Sequence, residues 1–328
     1  MKISIIFKAV LLVVMTLAGA TVQAADGTLT VEAKIPLGHV AGRIDHLAID
    51  AKRNRLFVAE LGNNSVGVID LITQKVVRRL TGLREPQGVG YEPMADRVYI
   101  ASAGDGVVKT FAADTLSFTG ETKLGDDADN IRFGGPGRIF VGYGHGAIAV
   151  MQSDKKIAEL PLSAHPEAFQ FDAENARLFV NVPDAHAIAV VDAKTGREQA
   201  NWGVRGLNGN FPMAFDAADR RLFVAYRSPA ALAVFDTANG NLLGRLPICG
   251  DADDVFLDPK RYRLYVSCGE GFVSVVSVAD QSFREIARVR TRTGARTSLF
   301  VPALDRLFVA VRANGGGQAA IWVLRPTS

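Results

Sequence analysis

The sequence predicts an all-β fold, a single seven-bladed β-propeller with four-stranded antiparallel blades, and three observations predict it. A short apolar run led by arginine recurs seven times. It starts at Arg55, Arg97, Arg138, Arg177, Arg221, Arg263 and Arg306, at intervals of 42, 41, 39, 44, 42 and 43 residues. Each period carries four strand-like runs divided by Gly, Asn, Asp and Pro, and no stretch of helical period competes. Finally, the seventh period stops after a third run, Ala319 to Leu324, while the N-terminal run Leu29 to Ile35 has no period of its own.

The fourth period shows the elements in order. Ala168 to Asp172 is a first strand, Arg177 to Val180 a second, Ala187 to Asp192 a third, and Glu198 to Gly203 a weaker fourth. One such sheet buries too little to stand alone, so the blades must stack into a ring. The N-terminal run is expected to supply the outer strand of blade seven and so latch the ring. Asp70, Asp192 and Asp236 each end a third strand, where Asp forms turns. Gly142-Tyr-Gly-His-Gly146 precedes a strand rather than a helix, so it reads as a hairpin turn and not a phosphate loop.

The propeller is expected over residues 25–328, with 1–24 a secretory signal peptide. Lys2 and Lys8 precede an apolar run from Ala9 to Ala18, and Val22-Gln23-Ala24 offers small residues for cleavage. The run is short of the roughly 20 residues a bilayer span needs. No stable membrane anchor is expected after cleavage near Ala24, and the location reads as periplasmic or secreted; an uncleaved anchor is the alternative. The whole chain carries +3, and loss of the two leader lysines leaves +1. That gives no bulk attraction to nucleic acid, so the expected partner is a small-molecule ligand or another exported protein. Arg284, Arg288, Arg290 and Arg292 share a parity, which on one strand would put them on one solvated face. Cys249 and Cys268 are the two cysteines. An exported chain meets oxidising conditions, so they are candidates for a disulfide, with two buried thiols as the alternative.

The stretch Leu56-Phe-Val-Ala-Glu-Leu-Gly-Asn-Asn-Ser-Val-Gly-Val-Ile-Asp70 resembles the YVTN-type propeller repeat, and the chain resembles YncE-like exported bacterial proteins. It departs from the repeat's name, with Leu56-Phe-Val-Ala59 for Tyr-Val-Thr-Asn, and it lacks WD40 signatures. The resemblance implies the fold and leaves function open. Such relatives include proteins of no assigned activity, some reported to bind nucleic acid, and propellers acting as lactonases or lyases.

Propeller geometry turns the repeat into a map. Counting back ten residues from each arginine, or nine in blade three, picks Asp45, Gln87, Asp129, Glu167, Phe211, Asp253 and Arg296 as a ring about one channel mouth. Blades three and six match in Asp127-Ala-Asp-Asn130 and Asp251-Ala-Asp-Asp254. Arg43, His46, His165, Asn210 and Thr297 flank the ring. Glu60, Tyr143, His145, His186, Tyr226, Arg227 and Arg312 close the second strands or the loops after them. In one reading these residues cap turns. In the other, carboxylates crowd one cavity and require a compensating cation, arginine or donor. The expected ligand-binding set is Arg43, Asp45, His46, Asp129, Asn130, Glu167, Asn210, Asp253, Asp254, Arg296 and Arg312. A divalent metal (calcium, magnesium or zinc) on Asp45, Asp129, Glu167 and Asp253 is a further expectation. The leading reading is a protein that binds a small polar or anionic ligand. The alternatives are a metal-assisted lactonase or lyase, with His46 or His165 as base, and an interaction scaffold. No Gly-x-Ser-x-Gly elbow supports a serine hydrolase.

Overall fold

In five of the seven blades, the arginine of the recurring run bolts its blade to the next. In the computed structural model, which describes residues 27–315 and 317–327, each of these arginines opens the second strand of a blade. Arg55 donates from Nη1 to the carbonyl of Ala113 in blade two at 2.8 Å, and Arg138 from Nη2 to Ala193 in blade four at 2.8 Å. Arg221 reaches Val278 of blade six at 2.8 Å, and Arg263 reaches Thr327 of blade seven at 2.7 Å. Arg97 meets the Asp154 carboxylate of blade three at 2.6 Å.

Seven four-stranded antiparallel sheets form the ring, with no α-helix among the described residues. The first six take consecutive strands. The seventh is composite: Ser298–Val301, Arg306–Val311 and Ala319–Pro326 are completed by Leu29–Gly38, which pairs antiparallel with Ala319–Pro326. Leu29, Ile35 and Leu37 of that strand are buried. The expected latch is therefore present. The expected leader lies outside the described residues.

Second and third strands are apolar on both faces because both faces are covered. Leu178 to Val182 in blade four are all buried. Seven apolar clusters each straddle two neighbouring blades, and two of them close the ring through blade seven. The core is thus a set of blade–blade seams about an open axis. Outer strands are largely exposed. In Arg284–Arg290, Arg284 pairs with Ser277 but Arg288 pairs with Ser274, across a register shift. Arg284 therefore faces the opposite side from Arg288 and Arg290, correcting the single-face expectation. Arg292 lies beyond the strand and donates from Nη1 to the Gln318 carbonyl at 3.1 Å. Cys249 and Cys268 form a disulfide at the start of blade six.

Candidate functional site

A repeated β-bulge aims one residue per blade at the axis. In blade one the Asp45 N–H donates to Ala59 while the Ala59 N–H donates to His46, so two residues oppose one. The same exchange joins Asp129 and Asn130 to Gly142, and Glu167 and Ala168 to Asn181. Register shifts leave Gln87, Phe211 and Asp253 bulged in blades two, five and six. The opposing residues are Ala59, Ala101, Gly142, Asn181, Ala225 and Ser267, always four after the arginine. A small or short residue there is a sequence signal for the bulge that the count from the arginines left unused. Gly88 sharpens the packing, since a Cβ there would lie 1.7 Å from the Asp129 carbonyl oxygen.

The bulges gather Arg43, Gln87, Asp127, Asp129, His165, Glu167, Phe211, Arg227, Asp253 and Arg296 around a mouth cavity of about 260 Å³. Below it a neck of about 20 Å³ is lined by Asp45, His46 and Asn130. Beneath the neck an axial chamber of about 540 Å³ extends past His46, Arg132 and Asp254 to Pro259 and Pro302 near the far rim.

The mouth arginines are committed to particular carboxylates. Arg43 lies 2.7 Å from Asp45 and donates to Gln87 at 3.1 Å. Arg227 clasps Asp253 and stacks on Phe211 at 3.5 Å from the ring centroid. Arg296 meets Asp251 at 2.9 Å and Asp253 at 2.8 Å. Asp129 and Glu167 have no arginine of their own. Asp129 is 6% exposed, and its Oδ1 has no hydrogen-bond partner. The Glu167 side chain makes no hydrogen bond to any described residue. Burial, then the Asp253 charge, pushes the Glu167 pKa up to about 7. Burial and the facing Glu167 push Asp129 well above the carboxylate range. Burial also raises Asp45, Asp253 and Asp254, against nearby arginines or, for Asp254, the Ser298 N–H.

His46 fills the neck. Its Nε2 lies 3.8 Å from Asp45 and 3.9 Å from Asp129, and its Nδ1 lies 3.8 Å from Asp254. These distances exceed hydrogen bonds. Burial, aided by Arg132, lowers its pKa to about 4, so the ring is neutral at pH 7. His165 lines the mouth, with Nδ1 on the Gly144 carbonyl at 2.6 Å.

Some expected residues lie elsewhere. Asn210 is buried between blades, donating to Asn181 at 3.1 Å and to the Ala187 carbonyl at 2.7 Å, so it joins blades and does not line the mouth. Arg312 donates from Nε to the Gly294 carbonyl at 3.0 Å, outside the mouth lining. Asp254 and Asn130 sit in the chamber and neck. Glu60 is buried against Ser65 at 2.6 Å and Arg79 at 3.0 Å. Tyr143 meets Glu159 and Lys156, Tyr226 is buried, and His145 is almost fully exposed. His186 caps a 3-10 turn. Among the described residues no group of three or more His, Cys, Asp or Glu is placed to hold a metal ion. Asp45, Asp129, Glu167 and Asp253 all line the neck but form no such group, and Asp45 and Asp253 turn to arginines. Arg132, in an otherwise apolar inner strand, was missed, and its charge among Ile131 and Phe133 was the available signal.

Solved structures match this chain in fold alone. A chain of hydrazine synthase from Kuenenia stuttgartiensis is similar at TM-score 0.74 and 18% identity, over 83% of this chain and 94% of that one. A chain of a mitotic checkpoint complex is similar at TM-score 0.76 and 13% identity, over 96% of this chain and 99% of that one. No protein-family model and no curated protein matches the chain.

Proposed function

We propose that this chain is an exported propeller that binds a compact polar molecule at the channel mouth. The propeller fold suits ligand binding or an interaction scaffold. The observation that favours a ligand is Asp129, whose buried Oδ1 has no partner, beside the half-buried Glu167 on a cavity of about 260 Å³. Leaving buried acceptors unpaired is costly, and a ligand's amine or hydroxyl groups would relieve that cost. Arg43, Arg227 and Arg296 stay on their own carboxylates, and a flat group on the same ligand would meet Phe211. Export is supported by the leader-like sequence of residues 1–24 and by the Cys249–Cys268 disulfide, since disulfides persist in oxidising compartments. The donor placement favours binding over metal-assisted lactonase or lyase chemistry.

A thermal-shift titration of the mature chain with amino acids, polyamines and hydroxy acids tests the reading. One class should raise the melting temperature, a ligand at 100 times its Kd adding about 2.7 kcal/mol. Asp129→Asn and Glu167→Gln should melt no lower than wild type yet lose that response. No shift with any class, or variants that melt lower and keep the response, would refute it.

A further inference from the structure

The axial chamber is physically distinct from the mouth. The neck between them is about 20 Å³ and is occupied by His46. Beyond it the wall is mainly apolar, with Val89, Phe133, Met213, Phe215, Phe256 and Leu257 along about 540 Å³, a size typical of small-molecule sites.

One cation stands in this wall. Arg132 is the central residue of the short inner strand Ile131–Phe133. Its one side-chain hydrogen bond among the described residues runs from Nη1 to the Ile131 carbonyl at 2.8 Å, and no described carboxylate pairs with it. The Phe169 ring centroid lies 5.7 Å from the guanidinium carbon. Asp254 also lines the chamber, but its Oδ2 accepts the Ser298 N–H at 2.8 Å, and burial favours its neutral form. Gln170 is spent on the Met213 carbonyl at 3.0 Å. A largely desolvated arginine remains on the chamber wall, with one side-chain hydrogen bond among its five donors. Desolvation makes such a cation costly, and a bound oxyanion would supply a matching bidentate partner.

We propose that the chamber binds a small organic anion with an apolar body, an aryl- or alkyl-carboxylate whose head meets Arg132 and whose body lies along Phe133, Phe215 and Phe256. The chamber runs to Pro259 and Pro302 at its end away from the neck, so the proposed site is separate from the mouth.

Calorimetric titration of the mature chain with 4-phenylbutyrate and with 4-phenylbutylamine tests this, because the two share a body and differ in head charge. The acid should bind at least about tenfold tighter than the amine, a discrimination within reach of one charge-assisted pair. Arg132→Leu should lose at least about tenfold for the acid without a lower melting temperature, since an unpaired buried charge is replaced by an apolar group. Leu299→Trp narrows the chamber without touching the guanidinium and should weaken the acid too; it decides the matter if Arg132→Leu fails to fold. Glu167→Gln should leave the affinity unchanged. Equal binding of acid and amine, no binding of either, or undiminished binding in Arg132→Leu or, where that variant does not fold, in Leu299→Trp would overturn the proposal. A loss in Glu167→Gln would also overturn it, by moving the anion to the mouth.

Discussion

The two rims of the ring carry the same residue types in different hydrogen-bonding states. At the far rim the inner strands end in carboxylates that are saturated by their own hairpins. Asp50 takes the Arg53 N–H at 3.2 Å and its guanidinium at 2.8 Å. Asp258 takes the N–H groups of Lys260 and Arg261, the Arg261 guanidinium at 2.9 Å and the Tyr265 hydroxyl at 2.7 Å. Arg53 and Arg261 then reach Asp96 and Asp305 in adjacent blades. The Arg261 hydrogen bonds hold Asp305 down at about 2, and Asn175 and Arg177 lower Asp172 against its burial. At the mouth, Asp45, Asp129, Glu167, Asp253 and Asp254 are all raised. Most donors to the far-rim inner-strand carboxylates lie two to seven residues along the chain, whereas at the mouth Asp253 draws its arginines from other blades and Asp129 draws none. The far rim is built for stability, and the mouth holds acceptors in reserve at a cost to it.

Three perturbations sharpen this contrast. The largest concerns the ring that both rims share. Deleting residues 25–38 removes the outer strand of blade seven and three buried side chains, at roughly 5 kcal/mol from burial alone. Calorimetry should show a much lower melting temperature or aggregation, and unchanged melting would refute the latch. Next is Arg261→Met, which takes the guanidinium from buried Asp258 and from Asp305 and should cost about 3 kcal/mol in urea unfolding. A neutral result would make the far rim no more committed than the mouth.

The last perturbation is a pH slope, in which two groups act in opposite directions. Glu167 titrates at about 7 in the folded chain against 4.5 when unperturbed. The folded form therefore keeps its proton longer than the unfolded chain. This group makes stability fall as pH rises through that window, by up to about 3 kcal/mol above it. His46 acts oppositely. Its pKa drops from 6.5 to about 4, so its contribution grows as pH rises between those values. Melting curves of Glu167→Gln should lose the Glu167 share of the falling component and keep the shares of Asp45, Asp129, Asp253 and Asp254 and the rise from His46. A slope identical to wild type would mean that Glu167 is not a reserved acceptor.

The repeat was legible because stacking demands it: every blade needs the same apolar second and third strands, and five of the seven arginines that open the second strand bolt it to the next blade. The ring at the mouth was legible as far as position goes, since Asp129 and Asp253 occupy equivalent bulges. Asn210 misled because an amide at a blade seam and an amide at the mouth look alike one residue apart. Arg284 misled because one bulged residue reverses strand parity. Arg132 escaped notice because attention to the mouth passed over a lone charge on an inner strand.

What this sequence determined by itself is periodic: seven blades, their strand order, the composite last sheet and one axis-facing residue per blade. Local hydrogen bonding and alternating burial write such features into each 40-odd-residue stretch. The tertiary structure alone decided which charges pair. Arg227 and Arg296 converge on Asp253 while Asp129 and Glu167 are left over, because those partners come from different blades and their distances exist only once the ring has closed.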